Sequence, residues 1–182
     1  MTGGVDGRIA PCRYVESPNQ DERPTGEAVS LLVVHCISLP PGEYGGDAIE
    51  RLFTNRLDAG AHPYFREIAG SRVSSHFLIR REGEPVQFVP IERRAWHAGA
   101  SCWRGRERCN DFSIGVELEG TDRTLFEDVQ YRQLAALIQA LRARLSLRAL
   151  AAHSDLAPGR KTDPGPGFDW PRLLAALSHS NL

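Results

Sequence analysis

Lysine is almost missing from this chain: of 22 basic residues only Lys161 is a lysine, the other 21 being arginines. Guanidinium serves wherever a positive charge suffices. The one compact ammonium, whose proton affinity burial shifts, is therefore either a survivor of drift or a residue given a task that arginine performs poorly. Excess charge is missing too. The 22 basic and 23 acidic residues leave a formal charge of −1, which excludes a strong overall field that recruits nucleic acid or an anionic membrane. Any anionic ligand has to be met locally. Nowhere do about 18 apolar residues run together, and Met1 to Pro11 lacks both the basic segment and the apolar core of a secretory signal. The expectation is a cytoplasmic protein that spans no membrane. The four cysteines (Cys12, Cys36, Cys102, Cys109) contain no C-x-x-C pair, which excludes a disulfide scaffold and reads as reduced thiols. Spacing alone leaves a Cys102–Cys109 bridge open.

What is present fits one compact domain. The 182 residues, 41% hydrophobic and 25% charged, fall within the roughly 100–200 residues of a single domain with one core. Residues 1–28, rich in Pro, Gly and charge, read as an arm that wraps the surface or frays. Ser30 to Ile37 is a continuous apolar run closed by Pro40-Pro41-Gly42, as in a buried central strand. Ile49, Leu52, Phe53 and Leu57 predict a short helix over 47–57, followed by a loop-rich stretch over 58–72. Residues 75–80 and 85–89 predict a hairpin with Gly83 at its turn. In 113–119, Ile114, Val116 and Leu118 alternate with Ser113, Gly115, Glu117 and Glu119, which puts Glu117 on the less apolar face of a strand. The stripe Leu134, Leu137, Ile138, Leu141, Leu145 predicts the longest helix, over 129–145. Asp169-Trp170-Pro171 reads as the cap and first turn of a terminal helix through Leu177. This interleaving predicts an α/β or α+β fold, a central mixed sheet with helices packed on its faces.

The chemistry-bearing segment is 152–167, where His153, Lys161 and Asp163 share a loop stiffened by three prolines. An amide-cleaving zinc site needs three ligands from His, Asp or Glu and one open position. His153 and Asp163 supply two, and His35, at the end of the central strand, is a candidate third. The separation of 118 residues between the two histidines is unlike the compact H-E-x-x-H helix. A hydrogen-bonded core histidine and a turn aspartate remain open for His35 and Asp163 on pattern alone. Cys36 is disfavoured as a ligand beside His35, because adjacent strand residues face opposite sides.

The stretches VVHCISLPPGEYGG (33–46), AHPYF (61–65), RAWHAG (94–99), GRERCNDFSIGVELEGTD (105–122) and KTDPGPGFDW (161–170) together resemble the cytoplasmic N-acetyl-anhydromuramoyl-L-alanine amidases of the AmpD type. These are a branch of the zinc amidase and peptidoglycan-recognition superfamily, and the likeness covers about residues 28–172. It implies an arm over 1–28 followed by a zinc amidase domain over 29–182. It implies His35, His153 and Asp163 as ligands of one Zn²⁺, and Glu117 and Lys161 as catalytic residues, with Glu119 the rival of Glu117. It implies Trp96 against the sugar, and Arg72 and Arg108 against peptide carboxylates, with Arg106 the alternative to Arg108. The implied substrate is an anhydromuropeptide, with no nucleic acid, membrane or obligate protein partner. Some relatives of this fold bind muropeptides without cutting them, which is the competing reading. Where the family pattern has asparagine after the first histidine, this chain has Cys36.

Overall fold

The computed structural model describes residues 2–3 and 6–179. Its frame is a six-stranded sheet of β1 (Arg13–Tyr14), β2 (Leu31–Ile37), β3 (Phe77–Ile79), β4 (Pro85–Gln87), β5 (Ser113–Glu119) and β6 (Ala149–Ala152), in spatial order β6-β2-β5-β3-β4-β1. Neighbours run parallel except at the β3–β4 hairpin. Around it lie α1 (Ala48–Phe53), α2 (Pro63–Ile68), α3 (Asp128–Arg142), α4 (His153–Leu156) and α5 (Trp170–His179).

Alternation along the strands sorts residues between the two faces. Leu32, Val34, Ile114, Val116 and Leu118 join Leu134, Leu137, Ile138 and Leu141 of α3 and Leu173 and Leu177 of α5 in the main core. The opposite face carries Leu31, Val33 and Ala151, packed with Ala98, Cys109 and Phe112. Both faces are therefore covered, and β5 is buried along its whole length. Gln130 ties the start of α3 to the strand ends. Its Oε1 accepts from the Glu127 N–H at 3.0 Å while its Nε2 donates to the carbonyls of Ile79 and Glu119. Asp169 caps α5 as its sequence suggests, accepting from the Arg172 N–H at 3.0 Å.

Several boundaries differ from the periodicity. α1 stops at Phe53, because Asn55 adopts the left-handed conformation (φ 59°) and turns the chain, leaving Leu57 outside. The loop-rich stretch contains α2, started by Pro63 and by the His62 imidazole accepting from the Tyr64 N–H. α3 ends at Arg142, so Leu145 packs on the core from beyond the helix. The N-terminal segment is bound into the fold: Ile9 is fully buried, β1 pairs with β4, and Gln20–Asp21 pairs with Arg94–Ala95. The four cysteines are free thiols.

Candidate active site

Sheet register gathers the candidate residues. Glu117 lies directly opposite His35 on neighbouring parallel strands, and Ala152 lies opposite Val34, so His153 follows at the level of His35. β6 runs straight into α4, which makes His153 its first residue, and the Asp155 carboxylate locks that junction by accepting from the Ala152 N–H at 2.9 Å. The 161–167 loop is drawn onto α4 by the Ser154 N–H, which donates to the Asp163 carbonyl at 3.0 Å, and by the Lys161 N–H, which donates to the Ala157 carbonyl. Two of its glycines are required by space. A Cβ on Gly165 (φ +83°) would come within 2.0 Å of the Asp122 carbonyl oxygen, and one on Gly167 within 2.3 Å of that of Thr124.

Three donor atoms converge as a result. His35 Nδ1 and His153 Nδ1 are 3.0 Å apart, and Asp163 Oδ2 lies 3.2 Å from the first and 3.1 Å from the second. The His153 Nε2–H faces the Ala98 carbonyl at 3.3 Å, so its Nδ1 presents a lone pair to the cluster. Burial draws the His35 pKa down to about 4, outweighing the raising contact with Asp163. Lone pairs this close, with a carboxylate among them, repel one another unless they share a cation. Two imidazoles and one carboxylate make the three-ligand set of an open catalytic metal site, and donors about 3.3 Å apart are what tetrahedral bonds near 2.0 Å require. The residues present fit a divalent metal ion.

The cluster lies in a cleft of about 630 Å³ that also takes Cys36, Trp96, His97, Glu117, Arg123 and Lys161 into its lining. Glu117 is 8% exposed, and its Oε2 has no hydrogen-bond partner among the described residues. Burial first, and the Asp163 charge second, push its pKa well above the ordinary carboxyl range, against the lowering influence of Lys161. Glu119, on the same face, is spent elsewhere, accepting from the Gly45 N–H at 2.6 Å and the Arg81 N–H at 3.1 Å. Burial and the Glu117 charge raise the Cys36 thiol, so it stays protonated.

Neither expected arginine lines this cleft. Arg72 is exposed on the rim between Ser71 and Val73, which do line it. Arg108, its side chain 72% exposed and paired with Asp111, borders a neighbouring depression of about 620 Å³ together with Arg160. Two lining residues, His97 and Arg123, carried no assignment from pattern. His97 lies inside the RAWHAG stretch, and that position was its available signal.

Comparison with known proteins agrees with this geometry. Residues 25–166 match the N-acetylmuramoyl-L-alanine amidase family. The 1,6-anhydro-N-acetylmuramyl-L-alanine amidase AmpD of Salmonella typhimurium (strain SL1344) is 57% identical over 181 residues, covering 97% of each chain. The crystal structure of a selenomethionine derivative of AmpD superposes with a TM-score of 0.94 at 56% identity, over 97% of this chain and 99% of that one. The amidase AmiD from E. coli, solved in complex with the substrate anhydro-N-acetylmuramic acid-L-Ala-D-gamma-Glu-L-Lys, gives a TM-score of 0.59 at 30% identity, over 93% of this chain and 60% of that one. The cleft with its His35, His153 and Asp163 cluster is thus framed by a fold and a sequence that agree, and the chain belongs to the N-acetylmuramoyl-L-alanine amidase family.

Proposed function

We propose that this chain is a zinc-dependent amidase of cell-wall recycling. It hydrolyses the amide between the lactyl group of 1,6-anhydro-N-acetylmuramic acid and the L-alanine of the stem peptide. The observation that carries this reading is the meeting of His35 Nδ1, His153 Nδ1 and Asp163 Oδ2 beside the unpartnered Glu117 oxygen. Near full-length likeness to AmpD supports the choice of substrate. Likeness to that branch also supports a cytoplasmic setting.

His35, His153 and Asp163 would hold a zinc ion, which when bound would supply Lewis acidity to the scissile carbonyl and to a water whose pKa it would lower to roughly 7. Glu117 takes a proton at Oε2 from the attacking water and passes it to the leaving nitrogen, which departs as a neutral amine. Its pKa, raised by burial above the ordinary carboxyl range, favours acceptance of a proton from the water. The Lys161 ammonium, in the cleft lining, offsets the negative charge that develops on the carbonyl oxygen. Trp96 offers a flat apolar face to the sugar. Arg72 on the rim, and Arg108 in the adjoining depression, offer forked donors to the carboxylates of the peptide.

The test is mass spectrometry of anhydromuramoyl-tripeptide incubated with the protein, beside chelator-treated and zinc-restored samples and a muropeptide with a reducing sugar. Release of free peptide that stops with chelator, returns with zinc and favours the anhydro sugar is the expected result. Intact substrate with folded, zinc-loaded protein would reassign the chain to muropeptide binding without cleavage.

A further inference from the structure

Behind the metal-ligand cluster lies a chain of hydrogen bonds to which the reaction assigns no part. His97 Nδ1 is 2.9 Å from His35 Nε2, His97 Nε2 is 3.1 Å from Ser113 Oγ, and Ser113 Oγ is 2.6 Å from the Cys109 carbonyl oxygen. The far end sets the direction of the whole chain. A carbonyl only accepts, so the single Ser113 hydroxyl proton points to Cys109, and Ser113 Oγ is left to accept from His97 Nε2–H. With that proton on Nε2, His97 Nδ1 carries a lone pair and accepts from His35 Nε2–H. His35 then presents its own lone pair from Nδ1 towards His153 and Asp163. The proton order is thus transmitted from a backbone carbonyl to the metal-facing nitrogen.

The fold holds His97 in this place from several sides. Its backbone N–H and that of Ala98 both donate to Asn110 Oδ1, at 3.2 and 2.8 Å. Its ring meets His35 edge-on, the planes at 88° and the centroids 5.0 Å apart. The ring occupies the space that a side chain on Gly115 would need, since a Cβ there would lie 2.5 Å from His97 Cγ. Gly115 sits two residues before Glu117 on the same strand face, so the strand that carries the carboxylate also leaves the gap for this imidazole.

We infer that His97 is a positioning residue, which through the Ser113 and Cys109 chain fixes the tautomer and ring orientation of His35 and thereby strengthens metal binding. The inference rests on the reading of His35, His153 and Asp163 as the ligand set. Partners of this kind behind a metal ligand are worth about 10–100-fold in metal affinity.

The experiment measures the zinc dissociation constant by chelator competition in wild type, His97→Phe and His97→Asn, each checked for folding by circular dichroism in the metal-free state. Phenylalanine keeps the ring and loses both nitrogens, whereas asparagine places an acceptor oxygen where Nδ1 stood. The expected result is affinity lowered about 10–100-fold in His97→Phe and within about threefold of wild type in His97→Asn. Wild-type affinity in folded His97→Phe overturns the inference, and so does an asparagine variant as weak as the phenylalanine one, because a space-filling role would give either. Asp163→Ala separates this from the ligand assignment. Full zinc retention by that variant sinks the ligand set itself, whereas loss of zinc there beside unchanged affinity in His97→Phe sinks only the role of His97. If His97→Phe does not fold, ¹⁵N spectra of the wild-type imidazoles decide: protonation of His97 at Nε2 is expected, and protonation at Nδ1 overturns it.

Discussion

Glu117 and Glu119 are two residues apart on one face of one strand, and their surroundings send them to different tasks. Glu119 satisfies the N–H groups of Gly45 and Arg81, whereas Glu117 keeps an oxygen without a partner among the described residues, beside the His35, His153 and Asp163 cluster. Glu117→Gln is therefore expected to keep the fold and the metal while turnover falls about 10²–10⁴-fold. Glu119→Ala is expected to lower stability by about 1–3 kcal/mol by removing two hydrogen bonds to a charged acceptor. Thermal unfolding and amide-cleavage rates on the two variants check the pair, and an exchange of the two phenotypes would reverse the assignment. The solitary lysine is tested in the same way. Lys161→Arg keeps the charge but replaces a compact ammonium by a planar fork, so turnover is expected to fall at least about tenfold with zinc retained; near-normal turnover would make Lys161 an accident of composition.

Among the elements, β2, β5, α3, the short α1 and the β3–β4 hairpin were legible, whereas α2 and α4 were not. β2 is a continuous apolar run of seven residues, while β5 and the α3 stripe follow the 2.0 and 3.6 periods over seven residues or more. α2 and α4, of six and four residues, are too short for period to register. They form because Pro63 and His62 start one and Asp155 locks the other. The 161–167 loop depends on backbone approach rather than on side-chain pattern. Gly165→Ala meets both a left-handed backbone angle and the Asp122 carbonyl, so it is expected to cost about 1–3 kcal/mol. Because Asp163 rides on this loop, it is also expected to weaken zinc binding. Wild-type melting temperature together with wild-type zinc affinity would show that the loop tolerates the displacement.

At the scale of the molecule, buried histidines set the response to acid. His76 is fully buried, accepts from the Gly115 N–H and touches the Arg23 guanidinium. Burial first, and the Arg23 charge second, hold its pKa well below the ordinary value. His35 and His97 are shifted the same way. The unfolded chain therefore binds more protons than the folded one below about pH 6.5, so stability falls as pH drops. Glu117, raised on folding, contributes in the opposite direction above about pH 4.5, but it is one group against three. The metal-free protein is expected to lose about 5–10 °C of melting temperature per pH unit below pH 6; a flat or rising melting temperature from pH 7 to pH 5 would contradict this. The arm belongs to this scale as well, since Arg23 reaches from it to the carbonyls of Asn110, Asp111 and Ser113 behind the site. Local pattern was enough for the strand and helix types, the mixed fold class and the family resemblance, because period and motif order are written in neighbouring residues. Pattern named His35, His153 and Asp163 as candidates but left their meeting open, and it contained no statement about His97 at all. Those depend on the pairing of β2 with β5 and β6, which places residues 118 positions apart in one row, and on a gap at Gly115 that a ring from a separate loop fills. Distances between segments remote along the chain follow from sheet register and packing, which no local window of sequence encodes.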